Sequence, residues 1–144
     1  IYDEMLNLLV PDTEEYEGIQ SITWKEAASL PLCLLSNSTH ERKIVDDAFT
    51  AAGENPKPYI TSDSIMNLIY HVTTVGLATV VPHHFLSATG KITGVRTIKL
   101  IEPEVSHQVG LVWSATEPMM PMAKAMVSII KQLKSSGTLE KHWA

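Results

Sequence analysis

Leu32-Cys33-Leu34-Leu35-Ser36-Asn37-Ser38-Thr39-His40-Glu41 is the stretch whose reading decides the fold. Its first four residues form a short apolar run, the pattern of a strand buried on both faces. Ser38-Thr39-His40-Glu41 has the spacing of a capping box, so a helix is expected to start there. Ile44, Val45, Ala48, Phe49 and Ala52 then recur on one helical face, and Gly53 suits the left-handed turn beyond its end. A buried strand thus passes through a short polar loop straight into an amphipathic helix.

The same grammar extends in both directions. Upstream, Tyr2–Val10 reads as extended and is closed by Pro11, and Asp12–Gly18 is an acidic loop. Thr23 caps a short helix, with Glu26 three residues on, and Pro31 ends it. Downstream, Tyr59–Thr61 is a short strand. Ser62 or Asp63 is placed to cap a helix with Ile65, Leu68, Ile69 and Val72 inward, ended by Gly76. Leu77–Val81 is a β-branched strand stopped by Pro82. Beyond a loop centred on Gly90 and Gly94, Val95–Leu100 and His107–Trp113 read as strands. A last helix carries Met122, Met126, Ile129, Ile130 and Leu133 on one stripe, and Ser135–Ala144 reads as a frayed end. Strands alternating with amphipathic helices define an α/β class, with a mostly parallel sheet flanked by helices.

Composition narrows the function. The chain has 144 residues, of which 44% are hydrophobic and 19% charged, enough for a packed core. Its net charge is −5. DNA binding depends on Lys and Arg neutralising phosphates, so this stretch alone is a poor DNA binder. The single cysteine, Cys33, cannot close an internal disulfide, which favours a reducing, cytoplasmic setting. Cys33 reads as a small core residue rather than a nucleophile. No apolar run reaches the length of a membrane span, and no export signal opens the chain. The start at Ile1, apparently inside a strand, reads as a fragment of a longer protein.

The loop Ser36-Asn37-Ser38-Thr39 stands at the carboxyl end of a predicted parallel strand and at a helix N-terminus. Open α/β sheets bind ligands at that edge, and the free amides there attract anions. Thr61-Ser62-Asp63-Ser64 stands in the same relation to its own helix. Ser36, Asn37, Ser38, Thr39 and Ser62 are therefore the candidate ligand-binding residues; the plainer reading is that they only cap helices. His83 and His84 are adjacent, and His40, His71, His107 and His142 are scattered, without metal-ligand spacing. No metal, cofactor or catalytic residue is assigned. There is no nucleophile elbow, P-loop or dinucleotide fingerprint. Met119, Met120, Met122 and Met126 read as helix core and its preceding turn, with a sticky interaction face as the other reading.

Several pieces in order resemble the effector-binding domain of LysR-type transcription regulators. They are Ile22-Thr23-Trp24-Lys25-Glu26-Ala27-Ala28-Ser29-Leu30-Pro31, Leu34-Leu35-Ser36, Arg42, Val45-Asp46-Asp47-Ala48-Phe49 and Ala52-Gly53. Ser62-Asp63-Ser64-Ile65 follows, then Val75-Gly76-Leu77-Ala78-Thr79-Val80-Val81-Pro82, where Ala78 replaces a second glycine usual in the family. The wording around Ser36–Asp47 is similar to the nitrogen-assimilation and cyanate-regulator branches.

The resemblance implies a two-lobed fold like the type 2 periplasmic binding proteins, here with an incomplete first lobe. Residues 1–11 would be a crossover strand and 12–106 the second lobe; 107–144 would be a return strand and a helix of the first lobe. It implies a small-molecule effector held by Ser36, Asn37, Ser38, Thr39 and Ser62, and the short polar side chains at a helix N-terminus favour an anion or carboxylate. It also implies self-association as dimers, and contact with DNA only through a winged helix-turn-helix that has no counterpart here. Nothing in the family is catalytic. A solute-binding protein fragment of the same fold is the alternative reading. A small α/β hydrolase using Ser36 or Ser38 with His40 is another.

Overall fold

A computed structural model describes residues 1–90, 92–114 and 118–137, which divide into two compact units. One is Met5–Val105; the other joins Ile1–Glu4 to Ser106–Ala144. The strand β1 (Tyr2–Pro11) contributes to both.

In the larger unit a 3-10 turn, Glu14–Tyr16, is followed by β2 (Ser21–Thr23), α1 (Trp24–Ala28), β3 (Cys33–Leu35) and α2 (His40–Ala51). Then come β4 (Ile60–Ser62), α3 (Ile65–Val75), β5 (Thr79–Pro82), α4 (Phe85–Thr89) and β6 (Val95–Ile101). The strands lie in the order β2-β6-β1-β5, and a bridge between Leu32 and Ala78 continues the layer to β3 and β4. Parallel pairing joins β3 to β4, β2 to β6 and Leu32 to Ala78. β1 runs antiparallel to both β5 and β6. The α/β class with flanking helices stands, and β1 makes the sheet mixed. Side-chain period is two residues in either direction, so hydrophobic pattern alone does not encode strand polarity.

That period sorts the core. Leu8, Leu32, Leu34, Val80 and Ile98 face one side, where Ala27 of α1 and Val45, Ala48 and Phe49 of α2 cover them. Their neighbours Leu9, Cys33 and Val81 face the other side and meet Leu68, Ile69 and Val72 of α3. Each fully buried leucine contributes roughly 1.5–3 kcal/mol relative to an exposed one. The two apolar helical stripes therefore clamp the sheet from opposite faces.

The capping box at α1 is present: Glu26 N–H donates to Thr23 Oγ1 at 3.1 Å, and Thr23 N–H donates to Glu26 Oε2 at 2.9 Å. Hydrogen bonds from Thr23 hold the Glu26 carboxyl below its ordinary range. Two other caps differ from expectation. Thr39, not Ser38, caps α2, accepting from Arg42 N–H at 3.2 Å. Ser64 stands at the N-cap of α3 and makes no side-chain cap. Ser62 is drawn into the ladder opposite Leu35, and its hydroxyl accepts from Ser64 N–H and Asn67 Nδ2. The acidic loop is tied down by Arg96, which donates to the Asp12 carboxylate and to Tyr16 O.

Cys33 is fully buried, its thiol 3.7 Å from Leu68 O, and burial pushes its pKa up to about 11. The folded value lies above the ordinary 9.0, so the neutral thiol favours the fold below about pH 9. That contribution is lost as pH rises through about 11. At pH 8, labelling of the native thiol by an aromatic disulfide should run at least about a hundredfold slower than in urea-denatured chain. Rates within a few-fold of each other would refute the buried placement.

In the smaller unit, β7 (Ser106–Val109) pairs with β1, and the Ile1 amino group donates to Val109 O. His107 Nε2 lies 2.8 Å from Glu4 Oε2. The helix α5 (Pro121–Ser135) starts with proline at its first position, where no amide is needed. Its stripe is not a core here: Met122 is 75% exposed, Met126 46% and Ile129 53%. Met120, before the helix, is also exposed. The described residues of this unit otherwise supply only short strand segments and loops, too little surface to cover a four-turn helix. Of the expected frayed end Ser135–Ala144, residues 138–144 lie outside the described residues, as does His142.

Candidate ligand-binding rim

β3 and β4 are adjacent and parallel, with Leu35 opposite Ser62, so the loops that follow them leave from the same edge. Ser36 N–H donates to Ser62 O at 3.1 Å, extending the ladder one step into the loops. The two predicted segments, 36–39 and 61–64, are thereby brought together.

Their side chains interlock. The Ser36 hydroxyl donates to Asp63 Oδ1 and lies 2.8 Å from the Ser38 hydroxyl. Ser38 Oγ also stands 3.5 Å from Asp63 Oδ1, at the outer limit of a hydrogen bond. Asn37, Ser38 and Asp63 are exposed. Thr39 is committed elsewhere: its hydroxyl donates to Ser36 O at 3.0 Å while capping α2. Ser62 is likewise occupied with Ser64 and Asn67, though its own hydroxyl hydrogen remains available to a ligand acceptor. Of the predicted residues, Asn37, Ser38 and Ser62 stay accessible, while Ser36 and Thr39 chiefly shape the loop.

Two residues that the sequence reading did not place in the site now belong beside it. Asp63 bridges the loops. Arg42, in the first turn of α2, is buried and donates through Nη1 to Leu35 O and through Nε to Asp46 Oδ1, both at 2.8 Å. Its guanidinium thus fixes the last carbonyl of β3, from which the loop departs. The signal for Arg42 was its position three residues after a cap, with Asp46 four further on. Asp63 gave none beyond sitting in a polar loop, because its partners are 25 and 27 residues away.

The hydrolase reading pairs Ser36 or Ser38 with His40, whereas the hydroxyls of both turn to each other and to the Asp63 carboxylate. His83 accepts from Met5 N–H at 3.1 Å and stands edge-on to His84. His71 is bonded to Asn67 O. Among the described residues no group of three or more His, Cys, Asp or Glu could hold a metal ion. Among them, too, no helix is long and apolar enough to cross a membrane.

Residues 1–135 match the family model described as the LysR substrate binding domain. No curated protein sequence is significantly similar to the chain. Solved structures share its fold at low identity. An OxyR mutant of Corynebacterium glutamicum superposes with a TM-score of 0.75 at 17% identity, covering 94% of this chain and 42% of that one. The effector binding domain of QuiR in complex with shikimate gives 0.69 at 17% identity, with 88% and 59% covered. An ancestral cationic amino acid solute binding protein gives 0.65 at 15%, with 99% and 57% covered. The chain thus spans less than two thirds of the length of each. A match over this much of the sequence, on a sheet whose adjacent strand ends gather two polar loops, leads to one assignment: the chain belongs to the LysR substrate binding domain family, in the periplasmic-binding-protein-like fold.

Proposed function

We propose that this chain is the effector-sensing part of a cytoplasmic LysR-type transcription regulator, and that it performs no catalysis. The observation that carries the reading is the convergence of residues 36–39 and 61–64 at one edge of a parallel strand pair. In this reading Met5–Val105 is the effector lobe, and Asn37, Ser38 and Ser62 meet a small polar ligand. Ser36 and Thr39 hold the loop that presents them. Ligand binding favours one arrangement of a self-associated regulator over another through its differential affinity for the two. DNA is contacted by a winged helix-turn-helix outside these 144 residues, consistent with the net charge of −5.

A thermal-shift screen of small polar metabolites tests the rim. A ligand at a hundred times its Kd stabilises the native state by about 2.7 kcal/mol. Ser38→Ala and Thr39→Val should each diminish that ligand-induced shift. Thr39→Val also loses a helix cap worth about 1 kcal/mol, so the comparison is between liganded and unliganded samples of the same variant. Undiminished shifts in both variants would remove the rim from the binding site.

A further inference from the structure

We propose that Asp63 sets the ligand specificity of this rim, selecting a compound that presents an ammonium group and rejecting carboxylates. The inference rests on the rim being the effector site, and it departs from the anion preference that a helix N-terminus suggested. A carboxylate ligand would need the hydroxyl donors of Ser36 and Ser38, and a carboxylate already holds them. The Ser36 hydroxyl donates its one hydrogen to Asp63, and Ser38 lies within reach of both partners. Within Ser36–Thr39 and Thr61–Asn67 the only charged side chain is that of Asp63. The nearby buried cation does not offset it, because the Arg42 guanidinium is turned to Leu35 O and Asp46.

An incoming anion would therefore meet like charge, with the Ser36 and Ser38 hydrogens already committed and the Ser62 hydroxyl left to donate. An ammonium group finds the reverse. A carboxylate offers about four acceptor sites, of which the serines use one or two, and Asp63 is exposed enough to be reached. An ammonium has three donors and no acceptor, so it adds to the Ser36–Asp63 contact without breaking it. The serine hydroxyls then act as braces that hold the carboxylate in one orientation.

Putrescine and succinate, a diammonium and a dicarboxylate of equal carbon count, test this by titration calorimetry on the full chain. Wild type should bind putrescine more tightly than succinate. Asp63→Asn, a near-isosteric change at an exposed position, should weaken putrescine by up to about fivefold, the effect of a partly screened ion pair, and should not weaken succinate. Ser38→Ala, which removes a brace and leaves the charge, should weaken putrescine by a smaller factor. Preferential succinate binding by wild type, lost in Ser38→Ala, would overturn the role of Asp63 while leaving the rim as the site. Putrescine binding unchanged in both variants would overturn the two readings together. Failure of both compounds to bind wild type would overturn the ammonium preference.

Discussion

Replacing Trp24 by alanine is expected to lower the unfolding free energy by about 3–5 kcal/mol. Among the described residues Trp24 is the bulkiest fully buried side chain, packed edge-on against Phe49 with ring centroids 5.0 Å apart. Its indole N–H donates to Pro103 O at 3.1 Å, so one residue ties α1, α2 and the segment after β6 together. Truncation leaves a cavity between two helices and the sheet, and an unpaired carbonyl beside it. A domain of this size has roughly 5–15 kcal/mol in total, so the variant should unfold at markedly lower urea concentration. Trp24→Phe should recover part of the loss, restoring ring volume but not the donor. An Ala variant within 1 kcal/mol of wild type would mean that this side of the core is not packed as described.

Arg42→Met is expected to cost about 1–3 kcal/mol and to diminish any ligand-induced stabilisation. Methionine keeps much of the buried stem but leaves Leu35 O without its charged donor. The same change frees the start of the 36–39 loop. Asp46→Asn separates the two bonds of the guanidinium. The Asp46 side chain is 49% exposed, so that ion pair is screened and its loss should cost less than about 1 kcal/mol. Equal losses in the two variants would place the worth of Arg42 in the ion pair rather than in the carbonyl it holds.

What the sequence disclosed follows from the range of each interaction. The continuous apolar runs at Leu32–Leu35 and Leu77–Val81, and the stripes of α2 and α3, are local patterns, and they placed the core and both helix faces. The capping box at Thr23 and Glu26 is equally local. β2 went unread because Ser21–Thr23 is three residues long and merges with that cap. α4 went unread because Phe85–Thr89 is one short turn among glycines and histidines. The direction of β1 depends on partners about 70 to 90 residues away, to which a period of two is blind. The rim was legible as two loops on one edge, since parallel neighbours end on the same side. The carboxylate lock between them was not, and it changes the ligand chemistry that the loops alone suggested. The α5 stripe was legible as apolar, but whether such a stripe is covered depends on what faces it.

Amide chemical-shift mapping by 15N NMR, with whichever compound the thermal screen finds stabilising, tests the account most directly. The largest perturbations should fall on Asn37, Ser38, Thr39, Ser62 and Asp63, with α5 silent. Saturable perturbations that spare both loops and cluster on another surface would contradict it.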